Sequence, residues 1–244
     1  MKDSELFALG RRDVLYALGS FVAVGFVGCG SSSSPTSPSS SSSTTSTNSS
    51  CVVTPSLTEG PYFVDERLNR SDLRSDPTTG VVKAGVPLAI TMKLSQVSGT
   101  SCTALTGALV DMWHCDALGV YSDIAQQNTV GQKFLRGYQV SDSSGNVQFT
   151  TVYPGWYQGR AVHIHFKVRT TPGASSGLEF TSQLFFDESL TDIVHAQAPY
   201  NTKGRRDTTN TTDGIYQGGG SQVLIPLSAS GGGYAGTFNI GVRI

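Results

Sequence analysis

His163 and His165 are separated by one residue within Val162 to Arg169, a stretch with strand-like composition. Side chains two apart on a strand point to the same side, so the two imidazoles converge. Upstream, Pro154-Gly155-Trp156-Tyr157 makes a turn that can swing Tyr157 back over the strand end, and Arg160 lies between the turn and His163. A buried tyrosine beside a metal is held as tyrosinate, because the metal charge overwhelms a reference pKa of about 10. Imidazole nitrogen together with phenolate oxygen suits ferric iron better than zinc. Taken alone, the His-x-His pair also fits an ordinary solvated strand face. A zinc hydrolase would need a general-base carboxylate that this stretch does not offer.

Positioning such a set calls for strands and tight turns. Gly is abundant, charged residues make up only 14%, and the apolar stretches are short and rich in Val, Ile, Thr, Phe and Tyr, which favours β-structure. Strands are expected at Leu88 to Leu94, Ala108 to His114, Asn146 to Tyr153, Val162 to Arg169, Ser182 to Asp187, Gln222 to Leu227 and Gly236 to Val242. Their number and spacing predict an all-β fold, a sandwich of two mainly antiparallel sheets with long functional loops. Asp142-Ser143-Ser144-Gly145 reads as a turn, and Ser189 to Ala196 as a short helix capped by Ser189. The polar run from Tyr200 to Tyr216 reads as one long loop. Trp113 is expected in the core, and His114 and His195 in structural or surface roles.

The stretch Tyr157-Gln158-Gly159-Arg160-Ala161-Val162-His163-Ile164-His165-Phe166 resembles the signature of the intradiol ring-cleavage dioxygenases, the family of catechol and protocatechuate dioxygenases. Val110 to Tyr121 resembles the strand that brings that family's other tyrosine ligand, and Thr58-Glu59-Gly60-Pro61-Tyr62 resembles a stretch lining its substrate pocket. The resemblance implies one Fe(III) per chain, held by Tyr121, Tyr157, His163 and His165, with hydroxide or water completing the site. Two phenolates and a hydroxide balance the trivalent charge, so such a centre tolerates a low-dielectric pocket. Tyr157 would be the ligand displaced by substrate, Arg160 would stabilise developing negative charge, and Gln183 would support Arg160. Gly60, Pro61, Tyr62 and Trp156 are the implied substrate-binding positions. The implied partners are a small aromatic diol and O2. A carboxylated diol would need a cation, for which Lys203, Arg205 and Arg206 are candidates if their loop reaches the pocket. The chain shows no obvious helical dimerisation segment like that of the catechol-cleaving branch, which leaves the oligomeric state open. The competing reading is a non-catalytic β-sandwich binding module, since a turn, strand and Pro-Gly-x-Tyr pattern also occurs in transthyretin-like and carboxypeptidase-regulatory-like domains.

The first 50 residues read as an address and a tether. Arg11-Arg12 precedes an apolar run from Val14 to Val27, shorter than the roughly 20 residues needed to span a bilayer. Gly10-Arg11-Arg12-Asp13 resembles a twin-arginine export signal and Phe26-Val27-Gly28-Cys29 a lipobox, which makes Cys29 the expected lipidation site and membrane anchor; plain secretory cleavage near Gly28 is the alternative. The expected organisation is a signal peptide over 1–28, a Ser/Thr-rich tether over 29–50 with a reach of about 25 Å, and a catalytic domain over 51–244. Expected localisation is the cell envelope. In an oxidising compartment Cys51, Cys102 and Cys115 should give one disulfide and one odd thiol. The pair is not assigned by spacing, although an extended Gly107 to His114 would span about 26 Å and make Cys102 to Cys115 awkward. A net charge of −1, with no basic stripe, gives no reason to expect nucleic-acid binding.

Overall fold

The computed structural model describes residues 51–171 and 177–244. The expected signal segment, tether and lipidation site at Cys29 lie outside the described residues. The strands are β1 (Pro87–Ser98), β2 (Ser101–Ala104), β3 (Leu109–Trp113), β4 (Arg136–Val140), β5 (Asn146–Val152), β6 (His163–Arg169) and β7 (Glu179–Phe185). Helices α1 (Glu188–His195) and α2 (Gly214–Gln217) then precede β8 (Leu227–Ser230) and β9 (Gly233–Val242). One sheet runs β2-β1-β9-β8, with β5 also on β1, and the other runs β4-β3-β6-β7. The β1 and β9 strands pair in parallel and the other ladders are antiparallel. The all-β sandwich expected from strand spacing is the fold observed.

Leu88, Ile90, Met92 and Leu94 alternate into the interior from β1, and Val110, Met112, Ile164, Phe166 and Val168 meet them from the facing sheet. Each such side chain contributes about 1.5–3 kcal/mol on burial. The β6 strand is buried at every position, so its other face, carrying His163, His165, Lys167 and Arg169, must be satisfied by protein partners. Arg169 reaches Asp111 Oδ2 at 2.7 Å and Asp65 Oδ2 at 3.0 Å. Lys167 pairs with Glu59 and lies 4.2 Å above the Phe63 ring. These contacts hold residues 59–65 against the polar face of β6. A disulfide between Cys51 and Cys102 ties the first of the described residues to β2. Cys115 is the free thiol, and it is buried.

Several boundaries differ from expectation. Gln222 to Leu227 is not a strand: a 3-10 turn covers Gly220–Val223, and Pro226, with no N–H to give, separates it from β8. The β2 strand escapes detection because all four of its residues are exposed, and β4, which includes Gly137, shows no clean alternation. Helix α1 is capped by Asp187, whose carboxylate accepts from Leu190 N, and not by Ser189. The polar run from Tyr200 holds a 3-10 turn at Tyr200–Lys203 and the first residues of α2. Among the described residues no helix is long and apolar enough to cross a membrane.

Arg169→Leu leaves Asp111 buried without its counter-charge, and urea unfolding should show a loss of about 3–5 kcal/mol. Adding Asp111→Leu should recover most of that loss. Equal stability of Arg169→Leu and the parent would contradict the clamp.

Candidate metal centre

The centre is built on strand register. Trp113 of β3 and Gln183 of β7 lie on either side of His165, and the Trp113 ring stacks on the His165 imidazole at 4.9 Å with 7° between planes. His163 Nδ1 donates to Ala161 O at 2.6 Å, which leaves its Nε2 lone pair facing inward. The two Nε2 atoms stand 3.0 Å apart. Trp113 is therefore a core residue that also fixes a candidate ligand.

Tyr157 arrives from the turn before β6, and its hydroxyl donates to His163 Nε2 at 3.1 Å. Tyr121 does not end a strand. It sits in the loop after β3, where Asp116 Oδ1 accepts from Leu118 N and Val120 N, both at 3.0 Å. Gln127 Oε1 then accepts from Tyr121 N, and Thr129 Oγ1 donates to Tyr121 O. The Tyr121 and Tyr157 rings are 5.6 Å apart, with the Tyr62 ring 4.6 Å and 6.0 Å from them. Gly60 has φ +70°, and a Cβ there would stand 3.4 Å from His165 Cε1, so the Gly60-Pro61-Tyr62 backbone passes close over the imidazole.

Burial, reinforced by the Arg160 charge, pulls His163 down to about 3. Burial and then the neighbouring His163 hold His165 well below the ordinary value. Burial pushes the Tyr157 phenol up to about 12 and Tyr121 well above the ordinary range. Four neutral donors thus surround one point. The buried Tyr121 hydroxyl has no hydrogen-bond partner among the described residues. Two imidazole nitrogens and two phenol oxygens, one of them orphaned, fit a trivalent oxophilic cation able to take the phenols as phenolates. Among the described residues no three His, Cys, Asp or Glu side chains gather as a metal site.

Arg160 extends over this cluster in a fixed pose. Its Nε donates to Asp213 Oδ2 at 2.9 Å, Nη2 donates to Gln183 Oε1 at 2.6 Å, and Nη1 stands 3.5 Å from His163 Nε2. Gln183 in turn donates to Thr58 O at 2.7 Å. Asp213 was not singled out from sequence, although an Asp preceding Gly-Ile-Tyr is a helix-cap signal: its Oδ1 caps α2 through Ile215 N and Tyr216 N, while Oδ2 also accepts from Ala161 N. Burial opposes its ionisation, but the Ala161 N–H and the Arg160 charge outweigh that and hold it below 3.8.

Other candidates stand elsewhere. Trp156 Nε1 donates to Gly204 O, and Lys203 Nζ lies 4.8 Å from its ring centre, so its indole is engaged with the Tyr200 to Tyr216 segment. Lys203 donates to two carbonyls, Arg206 pairs with Glu188 and Asp192, and Arg205 is exposed. His114 is satisfied by Cys115 O and Thr151 Oγ1, and His195 Nε2 meets Pro154 O while its ring stacks on Tyr200.

Comparison with known proteins gives the family. A family model described as dioxygenase matches residues 58–205. The chain belongs to the intradiol ring-cleavage dioxygenase family. It is 32% identical over 153 residues to a chlorocatechol 1,2-dioxygenase of Pseudomonas putida, covering 53% of this chain and 52% of that one. The chain spans about half the length of the curated relatives it matches. Among solved structures, an intradiol ring-cleavage dioxygenase from Tetranychus urticae matches with TM-score 0.69 at 30% identity, over 79% of this chain and 95% of that one. The dioxygenase domain of a carbohydrate-binding fusion from Streptomyces sp. SirexAA-E matches with TM-score 0.58 at 28% identity, over 79% of this chain and 99% of that one.

Asp213→Ala removes both the α2 cap and the Arg160 counter-charge, so denaturant unfolding at pH 7 should show a loss of about 2–4 kcal/mol. A carboxylate held below its unfolded value stabilises above that value, and the contribution is lost as pH falls through the folded one. The deficit should therefore narrow below about pH 4. A deficit under about 1 kcal/mol at pH 7 would mean that Asp213 is not the anchor.

Proposed function

We propose that this chain is a non-haem, iron(III)-dependent intradiol dioxygenase that opens catechol-type rings between the two hydroxyl-bearing carbons, adding both atoms of O2 to give cis,cis-muconate-type products. The observation that carries the reading is the convergence of Tyr121, Tyr157, His163 and His165 beneath an Arg160 anchored by Asp213 and Gln183. The relatives named as catechol or chlorocatechol 1,2-dioxygenases support the substrate class. A ferric ion held by these four side chains, one per chain, would withdraw electron density from the bound diol and so make its ring reactive toward O2.

The protein's own groups bind, orient and move protons. Tyr157 is the less buried of the two phenols and lies beside Arg160; held as a phenolate by the metal, its oxygen would be the group placed to take a proton from an incoming diol. Arg160 presents Nη1 toward the His163 imidazole, where its guanidinium stabilises negative charge developing on the opened ring. Tyr62, with Gly60 and Pro61, forms an aromatic and backbone wall that keeps water from the reacting face. Lys203 and Arg206 are committed to other partners, which leaves the exposed Arg205 as the remaining cation of that segment for a carboxylated diol.

Export by the twin-arginine route and lipid anchoring at Cys29 are part of the same proposal. The Cys51–Cys102 bond supports an oxidising compartment.

Iron-loaded protein should show a broad visible band from tyrosinate-to-iron charge transfer and consume oxygen with catechols. His163→Ala should lose the band and at least about 100-fold of the activity. Colourless, iron-loaded parent protein would overturn the assignment.

A further inference from the structure

Lys203 is remote in sequence from the ligand set, yet its ammonium donates to Leu118 O and Trp156 O, both at 2.6 Å. Leu118 lies three residues before Tyr121, and Trp156 immediately precedes Tyr157. Each carbonyl therefore belongs to one of the two loops that carry a candidate phenolate. The loops approach at backbone distance: Gly155 N donates to Asp116 O at 3.0 Å, and Gly119, at φ +79°, has no room for a Cβ against Trp156 O and Lys203 Nζ. Two carbonyl oxygens directed at one point repel unless a cation with several donors stands between them.

The base of this staple is rigid. Lys203 closes the 3-10 turn that begins at Tyr200. Tyr200 is buried, its hydroxyl donates to Tyr153 O at 2.7 Å and accepts from Val86 N at 2.9 Å, and its ring stacks on His195 at 5.1 Å. The sandwich thus holds Tyr200, Tyr200 holds the turn, and the turn delivers one ammonium to both loops.

We propose that Lys203 is a positioning residue that sets the separation of Tyr121 and Tyr157, and hence the fit of the site to its metal. This rests on the iron reading above, but the staple itself does not need iron to be detected.

The test compares full-length parent, Lys203→Met, which keeps the stem and removes the donors, and Gly119→Ala, which strains the same contact from the other side. In metal-free protein, amide exchange at residues 118–121 and 156–157 should accelerate at least about tenfold in both variants, with β3 and β6 unchanged. In iron-loaded protein, both variants should show a shifted charge-transfer band and at least about tenfold weaker iron retention. Unchanged exchange in the loops overturns the staple whatever the iron does, and so does an acceleration spread evenly through the strands. Faster loops with the parent's band and iron retention overturn the positioning role. If the parent takes up no iron, the iron reading and the positioning of ligands fall together, while the exchange comparison still decides the staple.

Discussion

A strand buried along its whole length, with His163, His165, Lys167 and Arg169 on one face, must find partners for four polar groups where water supplies none. That constraint organises the layer over β6. Arg169 recruits Asp65 and Asp111, Lys167 recruits Glu59, and together they lay residues 59–65 along the strand. The two imidazoles are left facing two phenols. A metal-free set of this kind is neutral and incompletely hydrogen-bonded, as the orphaned Tyr121 hydroxyl shows, and a cation is the partner whose chemistry completes it.

The loops that carry Tyr121 and Tyr157 are held by a further set of contacts. Asp116 shapes the Tyr121 loop through its own amides and pairs with Lys83 at 2.6 Å. Asp213 fixes Arg160 and caps α2, and Gln183 links Arg160 to Thr58 in the covering segment. Arg160 is therefore coupled to three separate parts of the chain, so its charge is aimed before any substrate arrives.

The parts of the site legible in sequence are those set by short-range geometry. The period of two in a strand is enough to pair His163 with His165, and a turn of known type places Tyr157 and Arg160 nearby. The sequence supports Tyr121 through resemblance alone, and the resemblance implies a strand where Asp116 builds a turn. Local pattern marks Asp213 only as a helix cap; its hold on Arg160, the reach of Lys203 and the stacking of Trp113 depend on strand register and on contacts between segments distant in sequence. The fold shows the same division: alternating strands such as β1 are legible, whereas the exposed β2 is defined by pairing with β1 alone. Likewise the pairing of Cys51 with Cys102 follows from where β2 runs, not from spacing.

Cleavage between the two hydroxyl-bearing carbons by this buried Tyr/His set is tested most directly by mass spectrometry of the product formed from catechol under 18O2 by iron-loaded protein. The expected product is an acyclic dicarboxylic acid with one labelled oxygen in each carboxylate. A ring-opened aldehyde acid, or a product without label, would contradict it.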